Sequence, residues 1–296
     1  MSLRNLLSGA SKPLQNMHKK QVHREPWPDF TSFQSSRYPL EIRRAAALQW
    51  MRRAREELGS VYEFTSLSHA LCRVRVPVEV LGGLSRLITD EVRHAEMCGR
   101  MALACYPEGA ANEPELLAWR VPKMPYPEPP AFDASSDNLM PTLRWASDVV
   151  LTSCCIGETL SRPLFEAVAT VTTEPVSEQV IRQILRDEHL HAAFGWETLR
   201  LLFGALDESS RAWLQNRLGR RLAGFELGCA GGHTVEELAG TEVSIERLDE
   251  DNLGTLSSRQ YAQIFYSTLE SVIFPRFTDI GLDPLQAWSE RGAASS

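Results

Sequence analysis

Several protein classes are excluded by what this sequence lacks. It has no apolar run near the roughly 20 residues that span a bilayer. None of its six cysteines forms a CxxC pair, the spacing shared by redox and many zinc motifs. No flavin or nicotinamide fingerprint is present, and no series of strand-like segments. Positive charge is not in excess: 31 Lys+Arg stand against 38 Asp+Glu, a formal net charge of −7. That balance argues against a whole surface that binds nucleic acid. The rest is ordinary for a soluble globular chain of 296 residues, at 43% hydrophobic and 23% charged. Disordered, collagen-like and disulfide-dense chains are excluded too. Near the N-terminus the basic residues follow the short apolar patch, the reverse of a secretory signal. Cys72, Cys98, Cys105, Cys154, Cys155 and Cys229 fall mostly in helix-like segments, so reduced thiols and a cytoplasmic location are expected.

What is present is helical periodicity. Residues 1–38 mix basic residues, prolines and aromatics without a period and read as a surface arm. Residues 39–292 read as one all-α domain. Apolar and charged residues recur at helical spacing over 40–74 and again from Pro77 to about Tyr106. Seven of the 17 prolines then fall between Pro107 and Pro130, which excludes a regular helix there. A third long helix is predicted from Asn138, with a kink at Pro163. A fourth runs to about Leu206, a fifth over 208–229, and shorter helices follow. Two long helices, a long crossover and two more long helices make a four-helix bundle with additional C-terminal helices; two helical hairpins on a linker are the alternative.

Two hexads stand out. Helix 2 contains Asp90-Glu91-Val92-Arg93-His94-Ala95, and helix 4 contains Asp187-Glu188-His189-Leu190-His191-Ala192. Both are DExxHA. Helix positions three apart share a face, so each Glu–His pair can meet one metal ion. A single ExxH is weak; a matched pair late in two long helices is not. Glu63 precedes Glu91 by 28 residues and Glu158 precedes Glu188 by 30, so each half repeats a carboxylate, a helical hairpin and a hexad. Glu63 lies among apolar and small residues, as does Glu158, where a lone carboxylate is costly. Glu56 and Glu57 lie in RRAREE, which reads as a solvated face. Asp90 and Asp187 are placed to accept the outer N–H of the opposite histidine. His69 and His189 point away from these faces.

This pattern resembles the ferritin-like di-iron carboxylate proteins, over about residues 40–206. The resemblance implies Glu63, Glu91, His94, Glu158, Glu188 and His191 as ligands of two Fe ions, with Glu91 and Glu188 bridging. Mn or a mixed Mn/Fe pair suits the same donors. It implies a non-haem oxidase or oxygenase that uses O₂ on a small-molecule substrate and draws on an external electron donor. Homodimers are common among such bundles. Arylamine N-oxygenases add a histidine where this chain has Ile184, a departure from that branch. Arg162 is expected to reach the ligand carboxylates or an acidic substrate group. Gly59, Ser60, Cys154 and Cys155 are expected to leave room for O₂ or substrate. Tyr62 and Trp196 are candidate redox aromatics. Two further readings stay open: a ferroxidase or iron-handling protein, and a helical interaction protein with a vestigial metal site.

Overall fold

A computed structural model describes residues 10–106, 128–131, 138–238, 245 and 250–292. Among them regular structure is helical throughout, and no strand occurs. The helices are α1 (Lys12–Val22), α2 (Leu40–Arg73), α3 (Val78–Cys105), α4 (Met140–Val149), α5 (Glu158–Val171), α6 (Pro175–Ala205), α7 (Glu208–Cys229), α8 (Val235–Leu238), α9 (Ser258–Thr268), α10 (Phe274–Ile280) and α11 (Pro284–Glu290). Two π-helical segments, Val150–Gly157 and Leu269–Ile273, join α4 to α5 and α9 to α10. None of the described helices is long and apolar enough to cross a membrane.

The ends of the long helices follow from local chemistry. Pro77 lies immediately before α3, where its fixed φ suits a helix start. Pro175 opens α6, and the Glu174 side chain accepts the Ser177 amide at 2.5 Å. Asp207 caps α7 on the Ser210 amide at 2.7 Å. Ser257 and Gln260 form a reciprocal capping box on α9.

Four rods form the centre of the molecule: α2, α3, the continuous run α4–π–α5, and α6. α2 packs on α3, α3 on α6, α6 on α5 and the π segment, and α4 back on α2. These contacts close a ring. Apolar side chains fill it in two separate layers. One holds Phe64, Leu71, Leu84, Leu87 and Trp196. The other holds Trp50, Met97, Met101, Val180 and Ile184. On α2, α3 and α6 the acidic and histidine candidates sit between those layers; on α5, Glu158 lies beside Ile156 and Leu160 of the first. α7 packs across α4, and α9 against α5, so the C-terminal third covers one side of the ring.

Two expectations are corrected. The arm is partly structured: Lys12–Val22 is helical and packs on α3. Pro163 lies inside α5 without ending it; the departure from α geometry lies upstream, at Val150–Gly157. Most of the proline-rich connection lies outside the described residues.

Close packing at one glycine gives a test of this arrangement. A Cβ on Gly195 of α6 would strike the Cys154 backbone carbonyl in the π segment, whereas a Cβ on Gly204 meets nothing within 4 Å. Gly195→Ala should cost about 1–3 kcal/mol through overpacking. Gly204→Ala should gain roughly 0.5–1 kcal/mol from helix propensity. Urea unfolding of the two variants measures both signs, and equal effects would contradict the contact.

Candidate metal centre

Between the apolar layers, α2, α3, α5 and α6 each contribute acids, and α3 and α6 each contribute a histidine. The His94 and His191 rings face one another with centroids 5.8 Å apart. His191 Nδ1 is 3.0 Å from Glu158 Oε2 and 3.2 Å from Glu91 Oε1. His94 Nδ1 is 3.6 Å from Glu57 Oε2 and 3.7 Å from Glu188 Oε1. Two sets of three ligand atoms result, each within 4.8 Å of one another: Glu57–Glu91–His94 and Glu91–Glu158–His191. They share Glu91. Glu188 lies beside both imidazoles, 3.7 Å from one and 3.8 Å from the other.

Behind each histidine stands an aspartate of the opposite hexad. Asp187 Oδ2 is 3.4 Å from His94 Nε2, and Asp90 Oδ2 is 3.6 Å from His191 Nε2. Each ring therefore turns Nδ1 inward and Nε2 toward a carboxylate, within hydrogen-bond reach for His94 and just beyond it for His191. Arg93, itself buried, ties the aspartates together at 2.6 Å to Asp90 and 2.5 Å to Asp187. Arg86 reaches both aspartates from the rim, and Arg24 of the N-terminal arm donates to Asp187 at 3.0 Å. Arg93 Nε also donates to the Val22 carbonyl at the end of α1. The arm thus helps to close this side of the site.

Burial and crowding shift the titrations. Burial and the charge of Glu158 push Glu188 up to about 8. Burial, with neighbouring Glu57 and Glu158, holds Glu91 well above the usual carboxylate range. Burial raises Glu63 to about 7 against a hydrogen bond from Ser153. For His94, burial is outweighed by Asp187 and Glu57, and the imidazole is raised well above its ordinary value. For His191, burial is outweighed by Glu158 and Asp90, with the same result. Asp90 and Asp187 go the other way: histidine hydrogen bonds and arginines outweigh burial and hold both low. Glu91 and Glu188 thus retain protons near neutrality that a divalent cation can displace.

The sequence candidates divide. Glu91, His94, Glu158, Glu188 and His191 converge, with Asp90 and Asp187 behind the rings. Glu57, expected in a solvated face, has a side chain only 12% exposed and lies beside His94. Glu63 is buried but accepts a hydrogen bond from Ser153 and belongs to neither three-residue set. Arg162 is not brought in: its guanidinium, half exposed, donates to Glu166 at 2.8 Å, a partner one turn away on the outer face. Ser60 lines the adjoining cavity, but Gly59, Cys154 and Cys155 do not. Both cysteines are fully buried, and burial raises both thiols well above their usual range. Tyr62 is exposed and donates to Glu128; Trp196 is packed on Phe277 and donates to Thr159.

The cavity beside the cluster measures about 520 Å³. Glu57, Glu63, Glu91, Glu158 and Glu188 line part of its wall, and residues of α7 line another part. Its size suits a small organic molecule.

A pH test follows from the raised groups. Glu188, Glu63, His94 and His191 hold protons in the folded, metal-free chain at pH values where the unfolded chain has released them. Stability from these groups is present at low pH and is lost as pH rises through the folded values, near 7 for Glu63 and 8 for Glu188. The Tm of metal-stripped protein should therefore fall between pH 6 and 9. With divalent ions bound, the protons on Glu188, His94 and His191 are already displaced, and the fall should shrink to the part that belongs to Glu63. A flat metal-free profile would contradict the raised values.

Comparison with protein-family models, curated proteins and solved structures gave no match for this chain, so its function must be read from these side chains.

Proposed function

We propose that this chain is a ferritin-like di-iron carboxylate protein that uses O₂ to oxidise a small-molecule substrate. One observation carries the reading: two carboxylate–imidazole sets share Glu91, beside a cavity of small-molecule size. The ring of four rods, with a long connection between its second and third members, fits a bundle of that kind.

The residues fit a pair of metal ions. His94 Nδ1 and Glu188 Oε2 are buried without a hydrogen-bond partner, at the place where ions would accept their lone pairs. The mixed carboxylate–imidazole donors suit Fe or Mn. Glu57 and His94 would hold one ion, Glu158 and His191 the other, and Glu91 and Glu188 would bridge. Glu57 takes the place on α2 that spacing had given to Glu63. Two ferrous ions, when bound, would supply the electrons that reduce O₂, and an external donor would restore them.

The chain's own residues do the remainder. Asp187 accepts from His94 Nε2 and Asp90 faces His191 Nε2, so release of the Nδ1 protons would leave both Nδ1 atoms to the metal. Arg93 offsets the aspartate charge inside the fold. The apolar layers exclude water from two sides, which strengthens electrostatic interactions within the site. Ser153 holds Glu63 at the cavity wall, where its carboxyl group, near 7, can give or take a proton at Oε1 or Oε2.

Anaerobic titration with Fe(II) should show two ions bound per chain, and O₂ should then produce an optical change. Glu57→Gln should reduce the stoichiometry to about one, and Glu91→Gln should abolish tight binding. Glu63→Gln should retain two ions. Wild-type protein that binds fewer than one ion, or shows no optical response to O₂, would refute the assignment. Two ions in Glu57→Gln with loss in Glu63→Gln would return the α2 ligand to Glu63.

A further inference from the structure

A third cluster of metal-ligating side chains stands apart from the carboxylate ring, at the seam between the N-terminal arm and α3. His18 lies on α1, and His23 is the residue that ends it. Both turn Nε2 onto one oxygen of α3: Glu96 Oε2 is 2.7 Å from His18 and 3.0 Å from His23. The three ligand atoms lie within 4.8 Å of one another. None of these residues belongs to the two sets that share Glu91.

The donors are held in place. The His23 ring is stacked on Trp27, with centroids 3.6 Å apart and planes 9° apart, and it meets His18 edge to face. Arg100 takes the other carboxylate oxygen, Glu96 Oε1, at 2.7 Å. Oε2 is thus left to the imidazoles. The Glu96 and His23 side chains are 8% and 14% exposed, whereas that of His18 is 38% exposed. The cluster is sheltered against α3 and open to water beside His18.

An ion pair alone does not call for this arrangement. Glu96 carries one negative charge, and Arg100 already answers it. Two further imidazoles aimed at the remaining oxygen set three donors around one point. We propose that His18, His23 and Glu96 bind one Zn(II) ion, with water completing its coordination. Two imidazoles and a carboxylate are donors that Zn(II) takes in open sites, whereas Mg(II) and Ca(II) favour oxygen donors. Donors about 2.0–2.1 Å from a tetrahedral ion lie about 3.3 Å apart. The two Nε2–Oε2 separations would therefore widen by only about 0.3–0.6 Å to admit the ion. In the metal-free chain, protons on Nε2 occupy its place, and Zn(II) displaces them.

Such an ion cross-links the arm to α3, two residues beyond His94. The same arm carries Arg24 to Asp187 and the Val22 carbonyl to Arg93. Zn(II) thereby fastens the segment that closes one side of the carboxylate cluster, without adding a ligand to that cluster. The proposal stands independently of the dinuclear reading.

Equilibrium dialysis against Zn(II) tests it, with metal content and far-ultraviolet circular dichroism read on the same samples of wild type, His18→Gln and His23→Gln. Each variant should hold one Zn(II) per chain fewer than wild type, with its helical signal unchanged. The totals should be two against three where the dinuclear centre also fills, and none against one where it does not, so failure of the dinuclear reading is seen separately. Hydrogen exchange supplies a second measurement on the unaltered chain. Zn(II) should slow amide exchange across residues 12–24 in wild type and not in His18→Gln. Equal Zn(II) content in wild type and either variant overturns the proposal, as does the loss of more than one ion. Arm exchange in wild type that Zn(II) leaves unchanged overturns it too.

Discussion

The centre of this molecule depends on enclosing carboxylates and imidazoles between two apolar layers. Burying a charge is expensive unless it is paired or neutralised. Here the answer is layered outward from the middle. The inner carboxylates Glu91 and Glu188 are pushed toward the protonated state, the histidines toward the charged state, and the outer aspartates stay ionised against arginine. Protons and metal ions are alternative ways of meeting the same constraint. The metal-free arrangement is therefore already drawn together, with ligand atoms a few ångströms apart.

The outer layer explains parts of the chain that seem remote from any chemistry. Arg93 is the third-to-last residue of its hexad, and its side chain joins Asp90 and Asp187 across α3 and α6. It also reaches the end of α1 through Val22, while Arg24 reaches Asp187 directly. Glu96, two residues after His94, accepts His18 at 2.7 Å and His23 at 3.0 Å. His23 is itself stacked on Trp27 at 3.6 Å. The arm is thus fastened by polar contacts to the same helix that carries the first hexad. His18, His23 and Arg24 thus have partners within the fold.

Much of this was legible in the sequence. The long helices fall within a few residues of their predicted bounds, because prolines and apolar periodicity mark them. The hexads predicted which histidines face inward, and their aspartates do stand behind the opposite rings. The burial of Glu57 escapes the sequence for two reasons. RRAREE looks solvated when judged by its neighbours alone. Yet Glu57 lies on the stripe of Trp50, Ala54, Phe64 and Leu71, all buried. Spacing counted between acids also misses where the hairpin turns. Glu57 stands 17 residues before Val74 and His94 stands 17 after Pro77, the two residues that flank the turn. Equal rise on antiparallel helices sets those two at one level. Glu63 is only 11 residues before Val74 and falls a turn and a half nearer the hairpin. The π segment before Glu158 had no such signal; Val150–Gly157 reads as an ordinary apolar helix until its backbone is seen. π-helical turns occur often at functional sites, and this one delivers Ser153 to Glu63 and ends where Glu158 begins.

The same accounting of charge links the centre to α7, which no motif had marked. Asp148 is buried on α4 just before the π segment and takes both Arg217 and Arg221. That pairing docks α7 along the rod and sets its register. Once Arg221 is fixed, the residues on its face, Arg220, Gly224, Phe225 and Gly228, must border the cavity. Leu214, Leu218 and Leu222 occupy the buried side of the helix. The two ion pairs of Asp148 therefore decide which α7 side chains border the cavity. The buried acids line one part of the cavity wall, and a helix outside the four rods lines another. Helix periodicity keeps these parts of α7 apart: its leucines and the arginines on Asp148 hold the helix in place, while Gly224 and Gly228 stay at the cavity edge.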